Sequence, residues 1–132
     1  MDAQRASIEK LLREYNVKTV LEFGHMPAVV APGVSVTTFT TWEDMAGKKF
    51  DFIFIGMSTY DNMCIALVGC KQLANEDTLI AVDGTVKQMA NMTVMNDGPV
   101  RAWGDIKQDG IVRELSSEDY NVGQGMSVGR YV

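Results

Sequence analysis

The chain has 132 residues, and its 46% hydrophobic and 22% charged shares exclude a disordered or fibrous protein and fit one globular domain. Its net charge is −5 and its longest basic cluster is Lys48-Lys49, so the clustered cations that nucleic-acid binding requires are missing. No stretch nears the roughly 20 apolar residues that span a bilayer, and residues 1–13 lack the apolar core of a signal peptide. A soluble, cytoplasmic protein is the expectation.

Residues 2–15 read as a helix, because Ile8, Leu11, Leu12 and Tyr15 recur at i, i+3, i+4 and i+7. Asp2 can cap its start, and Asn16 suits a left-handed end. Residues 17–23 (VKTVLEF) read as a strand stopped by Gly24. Three more strands are expected at 34–39 (VSVTTF), 50–55 (FDFIFI) and 78–82 (TLIAV). They are nearly continuous in hydrophobicity, as strands buried on both sheet faces are. Residues 60–74 read as a helix with Met63, Leu67, Cys70 and Ala74 on one stripe. Strand, helix, strand in that order implies a right-handed crossover and a parallel sheet.

Met89, Met92 and Met95 are expected in a short helix or loop, filling core or closing over an apolar ligand. Asn96-Asp97-Gly98-Pro99 is a turn signal, and residues 100–107 form a helical turn or two. Residues 111–115 and 126–132 then read as an antiparallel hairpin. Gly123, Gly125 and Gly129 belong to that hairpin, since no helix follows them as a nucleotide loop requires. There is no repeat and no linker, so residues 1–132 are read as a single domain. Cys64 and Cys70 lie six apart without a companion His, which fits apolar helix positions and not zinc or dithiol chemistry.

Three stretches together resemble the class I S-adenosylmethionine-dependent methyltransferases. Val20-Leu21-Glu22-Phe23-Gly24 is similar to the end of that family's first strand, where a carboxylate and a glycine turn approach the cofactor. The run from Phe50 to Gly56 is similar to the fourth strand. It continues through Ser58-Thr59-Tyr60-Asp61 into a helix, as in small-molecule O-methyltransferases. Leu79-Ile80-Ala81-Val82-Asp83-Gly84-Thr85 is similar to the fifth strand, which ends in an acid. The resemblance implies an α/β, mostly parallel Rossmann-like sheet of about six strands, with helices on both faces and the antiparallel hairpin at its end. It also implies S-adenosylmethionine or a related nucleoside as ligand, and a small-molecule oxygen as methyl acceptor.

Departures from the family pattern qualify the site. Met26 and Ala28 replace the second and third glycines of the turn, so cofactor affinity is expected to be weak or absent, and Met26→Gly is expected to improve it if the side chain obstructs the site. Only ten residues separate Gly24 from Val34, so a crossover helix does not fit and one strand-helix unit is missing. If VSVTTF is the family's second strand, Thr40 stands where a ribose-binding carboxylate is expected. If it is the third, Trp42, Glu43 and Asp44 lie near the adenine. Gly56 and Thr59 stand where metal-dependent members place an Asp and often a His, and Asp83 alone is a poor cation site, so no metal is expected.

The candidate cofactor-binding residues are therefore Glu22, Gly24, Trp42 and Glu43, and the candidate catalytic residues are Asp83 and Tyr60. Glu22 can accept from a ligand or cap the turn after it. Asp83 can orient or deprotonate an acceptor hydroxyl, and Tyr60 can stack on a ligand or anchor the helix start. His25 is either a general base or a solvated turn residue. A descendant of the family used only for binding or assembly is the competing reading. The sheet face left with only the first helix predicts a homodimer, through that face or the uncharged edge VSVTTF.

Overall fold

A computed structural model describes residues 2–86, 98–119 and 125–132. Helix α1 (Asp2–Glu14) buries Ile8 and Leu12, at 0% and 2% exposure. Burying two such side chains contributes about 4 kcal/mol by area. Asn16 ends the helix at φ 52, which lets the Val17 N–H close on the Leu12 carbonyl at 3.0 Å.

Among the described residues six strands form one sheet: β1 (Thr19–Gly24), β2 (Ser35–Thr38), β3 (Phe50–Gly56), β4 (Ala74–Val86), β5 (Val112–Asp119) and β6 (Gly125–Tyr131). Their order is β2-β1-β3-β4-β6-β5. The first three pairings are parallel and those of β6 with β4 and β5 are antiparallel. The expected architecture is the one found.

Alternation along the strands divides two cores. Val20, Phe52, Phe54, Leu79, Ala81, Met126 and Val128 face α1. Leu21, Phe23, Ile53, Ile55, Ile80 and Val82 face helices α3 (Tyr60–Gly69) and α4 (Gly98–Gln108) and the short α2 (Trp42–Met45). Both faces are covered, so FDFIFI has no polar face to show.

Several boundaries moved. The α-helix expected at 60–74 stops at Gly69, where the Trp42 indole leaves no room for a side chain: a Cβ at Gly69 would sit 2.3 Å from that ring. A 3-10 turn, Cys70–Leu73, follows, and β4 begins at Ala74. The polar start of β4 is pinned by Thr78, whose hydroxyl donates to the Phe50 carbonyl at 2.6 Å and accepts the Asn75 N–H at 2.9 Å. Strand β5 runs past Leu115 to Asp119, since an exposed edge strand keeps its ladder without apolar residues. Gly98 and Pro99 open α4 and do not close a turn. Met89, Met92, Met95, Asn96, Asp97 and Gly123 lie outside the described residues.

The face expected to be thinly covered is closed. Met26 is 7% exposed within the α1-side core, and Val29, Ala31 and Val34 pack against it. The segment between β1 and β2 thus covers the sheet without being helical, and the sheet-face argument for a homodimer loses its premise. Edge strand β2 remains open, with Val36 45% exposed.

Candidate functional site

The candidate site starts from how the chain leaves β1 and β3. Their last residues, Gly24 and Gly56, are register partners. After Gly24 the backbone turns to the α1 side, carrying Met26 into that core; after Gly56 it turns to the opposite side and enters α3. Adjacent parallel strands whose connections depart to opposite faces make a topological switch point, where open α/β sheets hold ligands. Gly24 has φ +100, and a Cβ there would lie 2.3 Å from the Gly56 carbonyl oxygen. The glycine read as a cofactor residue is thus first required by the neighbouring strand.

Glu22 points to the α1 side just before this turn. One carboxylate oxygen accepts the Met26 N–H at 2.9 Å and the other accepts the Thr38 hydroxyl at 3.2 Å. Its carbonyl accepts the Phe39 N–H at 2.8 Å. Glu22 therefore caps the turn and ties β1 to β2. A carboxylate has about four acceptor positions, so each oxygen keeps capacity for a ligand. Beside it lies a pocket of about 540 Å³, bordered by His25, Pro27, Val29 and Val36 as well. Met26 forms part of its wall, with the side chain seated in the core.

Asp83 reaches the same C-terminal sheet edge, on the α1 side, with β3 between it and Glu22. Its Oδ1 accepts from the buried Gln4 amide at 2.7 Å. It is not among the residues bordering the Glu22 pocket. The sheet thus brings Glu22, Gly24 and Asp83 to one edge and gives each acid its own framework partner.

Tyr60 does not join them. Its hydroxyl donates to Asp105 at 2.7 Å, and the Arg101 guanidinium lies 3.9 Å over its ring. Asp105 is seven residues beyond Gly98, roughly 10 Å along α4. The hydrogen bond to Asp105, then the one to Cys64, pushes the Tyr60 hydroxyl up to about 12. Tyr60 thereby anchors α3 to α4.

Strand β2 pairs directly with β1, the place of the second strand in a doubly wound sheet. The pairing is that of a second strand rather than a third. Trp42 packs on Gly69 and on the rings of Phe39 (4.7 Å) and Phe23 (5.6 Å). Glu43 is exposed in the first turn of α2. The Thr40 hydroxyl donates to Asp44 Oδ2 at 3.0 Å. A carboxylate therefore does stand by the end of β2, supplied by Asp44, four residues after the position where one was sought. The α2 turn that brings it back is set by Thr41, whose side chain accepts the Asp44 N–H; Thr41 three residues before Asp44 was the available signal.

Against an S-adenosyl ligand these residues fit in part. Gly24 permits close backbone approach, Glu22 offers acceptors, and Thr38, Thr40 and Asp44 offer hydrogen bonds to a ribose. Among the described residues no group of three or more His, Cys, Asp or Glu is placed to hold a metal, and no helix is long and apolar enough to cross a membrane.

No family model matches the chain, and no curated protein matches its sequence. Solved structures do match it. An O-methyltransferase from Bacillus cereus, in complex with S-adenosylhomocysteine, superposes with TM-score 0.70 at 15% identity, over 100% of this chain and 82% of that one. A SAM-dependent methyltransferase from Aquifex aeolicus gives 0.60 at 17%, over 94% and 89%. Aeropyrum pernix fibrillarin with bound S-adenosyl-L-methionine gives 0.60 at 8%, over 85% and 66%. Against two other O-methyltransferase structures the chain spans only 54% of their length. The chain has the class I S-adenosylmethionine-dependent methyltransferase fold.

Proposed function

We propose that this methyltransferase-fold domain binds S-adenosylmethionine or a related nucleoside at the crevice beyond Gly24 and Gly56, and does not itself catalyse methyl transfer. The observation that carries the first half is the switch point between β1 and β3, with Glu22 at its rim. Glu22 would hold the amino-acid end of the ligand, and Thr38, Thr40 and Asp44 its ribose. Structures of the same fold that contain S-adenosylhomocysteine or S-adenosylmethionine support this choice of ligand.

The second half rests on the partners of the catalytic candidates. Transfer to an oxygen needs the acceptor aligned with the methyl donor and its proton accepted. Asp83 is engaged by Gln4 and Tyr60 by Asp105, so both serve the framework. His25 supports the competing reading, an active small-molecule O-methyltransferase, because it is exposed and borders the Glu22 pocket. Fold alone does not choose between them.

Calorimetry with S-adenosylmethionine and S-adenosylhomocysteine tests the binding half. Both are expected to bind with dissociation constants weaker than micromolar, about −8 kcal/mol, and Glu22→Gln is expected to weaken both. Absence of heat and of thermal stabilisation at millimolar ligand overturns it. Release of labelled methyl product from a panel of small hydroxyl acceptors, lost in His25→Ala, overturns the non-catalytic half.

A further inference from the structure

The two edges of the sheet are built differently. Strand β5 ends one edge with Arg113, Glu114, Glu118 and Asp119 and with a register shift between Glu114 and Ser116, the charges and irregularity that keep another strand from pairing. Strand β2 ends the other with Ser35, Val36, Thr37 and Thr38, which bring no charge, no proline and no shift in register. Among the described residues β2 pairs only with β1.

Alternation fixes which backbone groups this edge offers. The Ser35 N–H donates to the Lys18 carbonyl and the Phe39 N–H to the Glu22 carbonyl, each at 2.8 Å, so the odd-numbered residues face β1. The N–H and C=O groups of Val36 and Thr38 therefore point away from the sheet. Such a pair is self-complementary under a twofold axis. With a second copy of this chain as partner, antiparallel and centred on Thr37, Val36 lies opposite the partner's Thr38 and exchanges both backbone bonds with it. Thr37 then meets the partner's Thr37 at the closer, non-hydrogen-bonded spacing, a cross-strand pair that sheets favour. A centre at Val36 would call on the Val34 N–H, which already donates to the Ala31 carbonyl at 3.1 Å. A centre at Thr38 would call on Thr40, beyond the end of the strand.

This pairing reaches the candidate site. Val36 and Thr38 lie on the α1 side of the sheet, Val36 in register with the core residue Val20. Val36 borders the pocket of about 540 Å³ beside Glu22 and is 45% exposed. The Thr38 hydroxyl donates to Glu22 at 3.2 Å. The partner's Thr38, set beside Val36, walls the pocket where β2 leaves it open.

We infer that β2 pairs with β2 of a second copy about a twofold axis at Thr37, joining two sheets into one, and that this pairing completes the wall of the Glu22 pocket. The gain for a ligand rests on the S-adenosyl reading, and the strand pairing does not. Ile65 and Val68, exposed on α3, are the competing surface for a second copy, and cysteine placement separates the two. In a Cys64→Ser background, Thr37→Cys is expected to give a disulfide-linked dimer on mild oxidation, because facing side chains of such a pair are within bridging reach. Ser35→Cys is expected to remain a single chain, since its twin lies roughly 13 Å along the strand. Val68→Cys is expected to remain one as well. Thr37→Lys sets like charges opposite each other and is expected to lower the scattered mass from twice 14.6 kDa to one chain. Thr37 does not border the pocket, so this variant leaves the ligand's own contacts intact. In calorimetry the linked Thr37→Cys dimer is expected to bind S-adenosylhomocysteine about tenfold more tightly than the Thr37→Lys chain, through the preorganised wall. Failure of Thr37→Cys to link, linkage through Ser35→Cys, or a mass that falls with Ile65→Lys and not with Thr37→Lys overturns the pairing. Equal affinity in the two forms overturns the completed wall. Binding by neither form refutes the S-adenosyl reading and the gain with it, and the cross-link then decides the pairing by itself.

Discussion

Replacing Gly24 with alanine separates the demands of the fold from those of any ligand. The substitution places an L residue at φ +100, and its Cβ meets the Gly56 carbonyl at 2.3 Å and the Gly56 carbonyl carbon at 2.9 Å. The left-handed conformation costs about 1–2 kcal/mol. The overlap falls on backbone in the middle of a hydrogen-bonded sheet, which cannot rotate away, and overpacking of this kind adds about 1–3 kcal/mol. Gly33 supplies the control, at φ +81 with nothing within 4 Å of its Cβ position. Gly33→Ala carries the conformational cost alone. The difference between the two variants is therefore expected to be about 2 kcal/mol, a large share of a domain's total stability. Urea unfolding followed by circular dichroism, without ligand, reads it. At a slope of about 2 kcal/mol/M the Gly24→Ala midpoint is expected to lie about 1 M below that of Gly33→Ala. Midpoints agreeing within about 0.2 M would mean that β1 and β3 do not approach this closely, and that Gly24 is kept for another reason.

Met26→Ala is expected to cost about 3 kcal/mol in the same assay, as deletion of a core methionine does, and Met26→Gly more, without gain in S-adenosylmethionine affinity; improved affinity would restore Met26 as an obstruction. Tyr60 has its folded pKa raised from 10.0 to about 12, so its contribution is complete below pH 10 and lost as pH rises from 10 to 12. Tyr60→Phe is expected to remove that part of the alkaline loss, and an unchanged profile would place the hydroxyl elsewhere. Burial raises the Glu114 carboxyl, but hydrogen bonds from Trp103 and Lys107 outweigh it and leave the pKa below 4.5. Its stabilisation is therefore present above that pH and lost on further acidification, and Glu114→Gln is expected to flatten the acid limb of the unfolding curve. Burial pushes the Cys70 thiol up to about 12, while Cys64 is only half-buried. A thiol reagent is expected to modify one cysteine in the native protein, and Cys64→Ser to abolish the reaction. A homodimer through β2 is expected to scatter light as twice 14.6 kDa and to dissociate in Val36→Lys; a single-chain mass at every concentration removes it.

Element type was legible because hydrophobic period reports local geometry. The α1 stripe of Ile8 and Leu12, the doubly buried FDFIFI run and the terminal hairpin all appear where their patterns place them. Boundaries failed where helical backbone tightened, as at Cys70–Leu73, where a 3-10 turn replaces the last α-turn expected. Among the site residues, Glu22, Gly24 and Asp83 were placed at one sheet edge, because strand ends can be read from glycines and acids. The partners of those residues could not be read in this way. Gln4 reaches Asp83 across 79 positions and Asp105 reaches Tyr60 across 45, and no local pattern encodes such a meeting.

The sequence alone therefore determined the α/β class, the parallel core with its antiparallel end, and the resemblance to the methyltransferase fold, since these follow from periodicity, turn chemistry and the order of elements. Tertiary structure alone decided that VSVTTF lies beside β1, that Met26 turns inward to close the sheet, and that Asp44 returns to the Thr40 hydroxyl at the end of β2. Each of these depends on which surfaces meet, and burial and hydrogen-bond satisfaction are settled only when all the elements have packed together.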